Sequence, residues 1–290
     1  RSRSPWVTQE ATASVSAVEL AKGWWSDEVW GADSGWQSSA AAVEGTSQEG
    51  EEQEWDLDQP WYIDSHDLVL ETAGAHRFTL LVLHSCTGGP DDILPFFHRL
   101  ELPFRRDVRV VVPCAPLRWE NHYGKARELN SWFEYAAEVE GGGRAKHPEE
   151  LAEQRQRILQ LLSEERERLP GSNGQRLILW GLSQGAALAL DVAVHAPFAV
   201  GGIIALRGMP LRGDAPHPRE ALELYASNGG RDWLCPPAEA KTSYEALGMN
   251  LHFESDPALA HGCARGKQSL SRQELWGVSE FLKRVWAGLW

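Results

Sequence analysis

The 290-residue sequence lacks several features that would indicate a membrane or a disulfide-rich secreted protein. It has no run of 18 or more apolar residues, so no segment is predicted to cross a bilayer. Its four cysteines show no CxxC spacing and are too sparse for a disulfide scaffold; they are Cys86, Cys114, Cys235 and Cys263. We therefore expect free thiols in a reducing compartment, the cytoplasm, and no zinc site.

Positive charge is also scarce, and the formal net charge is −13. Residues 1–60 hold three cations and twelve carboxylates, a charge of −9, which leaves −4 for residues 61–290. Nucleic-acid binding is not expected, because phosphate contacts need a basic face. The N-terminal region has no apolar signal core and is too acidic for an Arg-rich transit peptide. The chain begins with Arg1 rather than Met, so a lost leader stays open.

Residues 1–60 differ in composition from the rest and are rich in Ser, Ala, Gly and Glu. This composition favours disorder or a short helix induced by a partner. Six of the fourteen tryptophans lie here, namely Trp6, Trp24, Trp25, Trp30, Trp36 and Trp55. The extension is interpreted either as a solvated tail or as a docking motif for a protein partner.

From about residue 66, short apolar runs alternate with longer amphipathic segments. Strands are predicted at 67–71, 77–84, 108–113, 176–180, 200–206, 221–226 and 250–255. Helices are predicted from Pro148 to about Leu169, from Gln184 to about His195, and near 237–247 and 271–287. This alternation predicts an α/β fold with a mostly parallel sheet covered on both faces. Ligands bind such sheets beyond the carboxyl ends of the strands, so functional side chains are expected at that edge.

The pattern GLSQG, from Gly181 to Gly185, lies where the strand RLILW meets an alanine-rich helix. Glycines on both sides of Ser183 permit a tight strand-to-helix turn that exposes the hydroxyl as a candidate nucleophile. The N–H of Gln184 would then point at a developing oxyanion. The alternative is that Ser183 only caps a buried helix.

A serine nucleophile needs a base and a group that orients the base. In this architecture the chain order is Ser, then Asp or Glu, then His. His261 is the preferred base because its loop follows the last strand and returns to the carboxyl edge, with His217 second. Asp232, in the turn after 221–226, is preferred as the acid over Asp214.

Six stretches, in order over about residues 75–285, resemble the phospholipase/carboxylesterase family of α/β-hydrolases, which includes acyl-protein thioesterases and lysophospholipases. They are LLVLHS (80–85), VVPCAP (111–116), NSWFEY (130–135), GLSQGAALAL (181–190), RDWLCPP (231–237) and AHGC (260–263). The resemblance implies an α/β-hydrolase domain over residues 61–290. It also implies a triad on Ser183, Asp232 and His261, in agreement with the assignment from chain order.

The resemblance further implies that the main chain of Gln184 and of the loop after His84 forms an oxyanion hole. The family usually has HGxGD there, whereas this chain has HSCTGGPDD with Ser85 replacing the first glycine. The second donor is therefore expected at Ser85 or Cys86, or at Gly88 and Gly89 in a reshaped loop.

The NSWFEY segment resembles the family's motif beside the acyl-binding groove. Trp132 and Phe133, with His84, are expected to line the substrate site, and residues 118–130 are interpreted as a flap. The alternative is that both aromatics pack under a loop. Among the cysteines, Cys86 or Cys263 is expected to be sensitive to oxidation unless it only fills space.

The expected activity is hydrolysis of carboxylic esters or thioesters through an acyl-enzyme, with no metal or organic cofactor. The substrate would be a small acyl ester, or an acylated protein or lipid. Two alternatives stay open: a serine peptidase on the same fold, and a catalytically weak hydrolase-fold protein that binds a partner through its Trp-rich tail.

Overall fold

A computed structural model describes residues 61–62, 67–86, 88–97, 99–102, 104–122, 125–136, 143–212, 221–261 and 270–289. All of them belong to the compact unit Gln53–Trp290. The predicted extension over residues 1–60, with its tryptophans, lies outside the described residues.

An eight-stranded sheet of order β1-β2-β4-β3-β7-β8-β9-β10 organises the described part of the chain. Its strands are β1 (Trp61–Tyr62), β2 (Leu68–Leu70), β3 (Phe78–Leu83), β4 (Val108–Val112), β7 (Leu177–Leu182), β8 (Gly202–Leu206), β9 (Glu223–Gly229) and β10 (Asn250–Asp256). The strands from β4 to β10 in this order are parallel, and β1 and β2 add an antiparallel edge. A separate antiparallel hairpin joins β5 (Leu117–His122) to β6 (Lys125–Asn130).

Five α-helices accompany the sheet within the described residues: α1 (Leu94–Phe97), α2 (Pro148–Arg168), α3 (Gln184–His195), α4 (Pro237–Glu245) and α5 (Arg272–Val285). The central strands are apolar at successive positions because both of their faces are covered. In β3, Leu81 and Leu83 belong to the core that includes α2, α3 and α4, whereas Leu80 and Val82 belong to the core that includes α5. None of the described helices is long and apolar enough to cross a membrane.

This architecture confirms the predicted α/β fold. The main difference in strand bounds is in β9, which continues through Ser227, Asn228 and Gly229, where the sequence suggests a turn. The parallel ladder to β10 explains the extension, since it pairs Gly229 with Asp256. Strand β9 therefore ends directly beside the loop that carries Asp232.

Candidate active site

Ser183 occupies the single position between the end of β7 and the start of α3. Its φ of 51° and ψ of −115° lie in a region that non-glycine residues rarely adopt. The hydroxyl makes no hydrogen bond to the first turn of α3, so the Ser183 side chain does not cap the helix. The strained turn instead directs the side chain towards another loop at the carboxyl edge of the sheet.

The two glycines of the turn are required by close approach of main chains. A Cβ atom on Gly181 would lie 2.2 Å from the carbonyl oxygen of Gly185, and one on Gly185 would lie 2.2 Å from the carbonyl oxygen of Leu83. Ordinary Cβ contacts are more than an ångström longer. Helix α3 can therefore cross this close to β3 and β7 only with glycine at both positions.

A continuous hydrogen-bonded chain joins the three predicted triad side chains. Ser183 Oγ lies 2.8 Å from His261 Nε2, and His261 Nδ1 lies 2.9 Å from Asp232 Oδ2. An ionised carboxylate only accepts hydrogen bonds, so the proton of the neutral imidazole resides on Nδ1 and leaves Nε2 able to accept from the serine hydroxyl. The Asp232 side chain is fully buried, and the His261 side chain is 16% exposed.

The second oxygen of Asp232 is held by its own turn. Oδ1 accepts hydrogen bonds from the backbone N–H groups of Leu234, at 3.0 Å, and Cys235, at 2.8 Å. This turn is tied to the histidine loop, because the N–H of Arg231 donates to the carbonyl oxygen of Leu259 at 2.9 Å. Asp232 and His261 are therefore positioned by main-chain contacts between the two loops that carry them.

The other described histidines after Ser183 are engaged elsewhere. The Nδ1 atom of His195, on α3, lies 2.7 Å from the carbonyl oxygen of Asp191. His252, on β10, contacts Glu254 at 3.0 Å and stacks on Tyr225. The alternative base His217 and the alternative acid Asp214 lie outside the described residues.

The loop after β3 carries the other candidate oxyanion donors. Gly88 N–H donates to the carbonyl oxygen of Ser85 at 3.1 Å, and Gly89 N–H donates to Asp92 Oδ2 at 3.0 Å. Ser85 and Cys86 are half-buried, and the Ser85 hydroxyl donates to the carbonyl oxygen of Cys86 at 3.1 Å. The N–H groups of both glycines are thus used within the loop.

His84, Trp132 and Phe133 are all fully buried, so in this structure none of them presents side-chain surface to a substrate. His84 Nε2 accepts from the N–H of Ala115 at 2.9 Å, and Nδ1 lies 2.7 Å from the carbonyl oxygen of Ser85. Burial lowers the pKa of His84 from 6.5 to about 4, so its ring is neutral at pH 7. These contacts match the alternative in which the aromatic residues pack beneath a loop.

Two of the cysteines near strand ends are poorly suited to oxidation. Burial raises the pKa of both Cys114 and Cys235, and for Cys235 the nearby Asp232 carboxylate adds to the effect. Thiolates are the reactive form, so both thiols are expected to be inert at neutral pH. Cys86 is half-buried, and Cys263 lies outside the described residues.

Comparison with known proteins identifies the family of the chain. A sequence model described as phospholipase/carboxylesterase matches residues 66–285. The chain belongs to the phospholipase/carboxylesterase family. A probable carboxylesterase of Oryza sativa subsp. japonica is 26% identical over 180 residues, which are 58% of this chain and 73% of the rice protein.

Solved structures agree on the α/β-hydrolase fold. SOBER1 of Arabidopsis thaliana superposes with a TM-score of 0.62 at 21% identity, over 72% of this chain and 99% of that protein. Acyl-protein thioesterase 2 of Zea mays gives a TM-score of 0.59 at 19% identity, over 76% and 98% of the two chains. The resemblance to a phospholipase/carboxylesterase on an α/β-hydrolase fold is therefore confirmed.

One contact of this family member was not anticipated from its sequence. The sequence predicts a role only for the main chain of Gln184, yet this residue is 1% exposed and its side chain binds the segment 131–133. The available signal was a polar residue at the start of a helix whose following residues are small and apolar. No group of three or more His, Cys, Asp or Glu side chains suited to a metal ion occurs among the residues that the structure describes.

Proposed function

We propose that this member of the phospholipase/carboxylesterase family hydrolyses carboxylic esters or thioesters through an acyl-enzyme on Ser183. The observation that carries the proposal is the chain from Ser183 Oγ through His261 to Asp232, with distances of 2.8 and 2.9 Å at the elbow between β7 and α3. The carboxylesterase and the acyl-protein thioesterase named among the relatives give the substrate class to be tested, namely carboxylic esters and acyl-proteins. Residues 61–290 would form the catalytic domain.

The reaction begins when His261 Nε2 accepts the Ser183 proton as Oγ attacks the substrate carbonyl carbon. Asp232 stabilises the resulting imidazolium through the Nδ1–H bond. His261 then donates the proton to the leaving alcohol or thiol, which departs as the carbonyl re-forms. Water, deprotonated by His261, attacks the acyl-enzyme and releases the acid, and the proton returns to Ser183.

The negative charge of each tetrahedral intermediate would be stabilised by two main-chain N–H groups. One is that of Gln184, because the first N–H groups of a helix have no intrahelical acceptor. The second is that of Ser85 or Cys86, since the N–H groups of Gly88 and Gly89 already donate within the loop. No step of this mechanism requires a cofactor.

The decisive experiment compares the wild-type protein with Ser183→Ala on p-nitrophenyl esters and acyl thioesters. We expect the variant to lose turnover and to lose labelling by a fluorophosphonate probe. Turnover retained by the variant would remove Ser183 from this role. A folded wild-type protein that is not labelled would favour the catalytically weak binding protein, and faster cleavage of amides than of esters would favour a peptidase.

A further inference from the structure

The side-chain amide of Gln184 forms hydrogen bonds to one short segment of the chain, residues 131–133. Its Oε1 accepts from the N–H of Trp132 at 2.9 Å, and its Nε2 donates to the carbonyl oxygen of Phe133 at 2.6 Å and to Ser131 Oγ at 3.1 Å. A flipped amide would place NH₂ against N–H and oxygen against oxygen, so this orientation is the one that satisfies both backbone groups. The contact is buried, where hydrogen bonds are poorly replaced by water.

The same segment also holds the loop after β3. The indole N–H of Trp132 donates to the carbonyl oxygen of His84 at 2.8 Å, and the centroids of the Trp132 and His84 rings lie 5.0 Å apart. His84 in turn contacts the carbonyl oxygen of Ser85, the first candidate donor of that loop, at 2.7 Å. Residues 131–133 therefore contact both parts of the chain that supply candidate oxyanion donors, Gln184 and the loop after β3.

We propose that the segment Ser131–Phe133, gripped by the Gln184 side chain, is a brace that fixes the distance between the two main-chain arms of the oxyanion hole. The inference rests on the proposed function and assigns Gln184 and Trp132 a positioning role. One arm begins helix α3 and the other follows β3, so no covalent geometry sets their separation. Both donors must reach one oxygen at about 2.7–3.1 Å, so a small relative displacement weakens one of the two bonds.

The brace explains two features that a groove wall does not. Trp132 and Phe133 are fully buried, as a positioning element requires and a surface for acyl chains does not. The loop after β3 also has Ser85, not a glycine, directly after His84, and His84 and Trp132 supply contacts that fix its main chain. A loop held by such side-chain contacts does not depend on a glycine for its conformation.

The first test replaces Gln184 by Met, which keeps the length of the side chain and removes its hydrogen bonds. We expect kcat on a p-nitrophenyl ester to fall about 10-fold to 100-fold, because misplacement of about 1 Å costs up to about 100-fold in rate. KM should change by less than about twofold, because the oxyanion contact is made in the transition state. The matched control is Gln154→Met, a buried glutamine of α2 whose Oε1 has no hydrogen-bond partner among the described residues.

A second variant protects the test against a Gln184→Met protein that does not fold. Trp132→Phe removes the indole donor to His84 together with some buried ring volume, and it leaves the contacts of Gln184 in place because Gln184 binds the main chain of Trp132. Its control is Trp286→Phe, since Trp286 is fully buried and its indole nitrogen has no partner in the described structure. Both Trp132→Phe and Gln184→Met should lower kcat, and their combined effect should be smaller than the product of the single effects, because both act through one brace.

The outcomes separate this inference from the proposed function. If Ser183→Ala is inactive while folded Gln184→Met and Trp132→Phe keep wild-type kcat, the brace is refuted and the acyl-enzyme mechanism stands. Equal losses in kcat for the variants and their controls would also refute the brace, because they would reflect general destabilisation. If Ser183→Ala remains active, the proposed function fails first.

Discussion

Replacing Asp232 by Asn should nearly abolish catalysis while leaving the fold intact, and the structure explains why both results are expected. The N–H groups of Leu234 and Cys235 point at Oδ1 and require an acceptor there. The asparagine oxygen must therefore occupy that position, which turns its NH₂ group towards His261 Nδ1. A donor facing Nδ1 selects the tautomer with the proton on Nε2.

That tautomer cannot act as the base, because Nε2 then carries a proton and faces the Ser183 hydroxyl as a donor. In a triad, such a change lowers kcat about 10⁴-fold, or about 5.4 kcal/mol of transition-state stabilisation. Stability should change little, because asparagine keeps the acceptor for both backbone N–H groups. Asp232→Ala leaves these groups unpaired and should lower the free energy of unfolding by about 1–3 kcal/mol for each.

The assay is p-nitrophenyl ester turnover at pH 7, with the unfolding free energy measured in urea. Asp256→Asn is the matched control, since Asp256 Oδ1 also accepts a loop N–H, that of Ala258 at 3.0 Å, and does not contact His261 within the described contacts. An Asp232→Asn protein that kept more than about a tenth of wild-type kcat/KM would show that Asp232 does not set the tautomer.

Two further predictions concern the elbow and the buried histidine. Gly185→Ala should lower the free energy of unfolding, measured in urea, by about 1–3 kcal/mol or more, because its Cβ would meet the carbonyl oxygens of Leu83 and His84. The control is Gly89→Ala, where a Cβ meets nothing within 4 Å, and its free energy of unfolding should stay within about 0.5 kcal/mol of wild type. Burial lowers the pKa of His84 from 6.5 to about 4, so the unfolded state binds this proton first and stability should fall by up to about 3 kcal/mol as pH decreases from about 6.5 to about 4. His84→Gln keeps a donor for Ser85 and an acceptor for Ala115, so the stability of this variant should decline less over the same pH range. An unchanged decline would contradict the assignment of the effect to His84. Burial also lowers the pKa of His76 to about 4, and His76 contributes equally to both proteins.

The fold could be predicted from the sequence because the local pattern of apolar and polar residues agrees with the tertiary structure. Apolar runs of strand length alternate with amphipathic segments, and every strand predicted from residue 67 onward is present in the sheet. Chain order then placed the candidate side chains, because parallel strands bring the loops after β7, β9 and β10 to one edge. Ser183, Asp232 and His261 could be selected in this way although 78 residues separate the serine from the histidine.

The bounds of β9 were harder to predict, because SNGG is a favourable turn sequence and only the partner strand decides otherwise. Asn228 and Gly229 pair with Ser255 and Asp256 of β10, a contact that local propensity does not register. The extension matters for the site, since it carries the chain to the turn that holds Asp232.

The roles of His84, Trp132 and the Gln184 side chain could not be predicted for a related reason. Sequence pattern indicates which residues reach the edge of the sheet, but it does not indicate whether a side chain there faces a substrate or another loop. That choice depends on a partner 52 residues away for Gln184 and 48 residues away for Trp132. An aromatic pair beside an active site has the same sequence signature whether it lines a groove or supports the main chain that binds the oxyanion. Kinetics can separate these roles, since loss of a groove wall should raise KM and loss of a support should lower kcat.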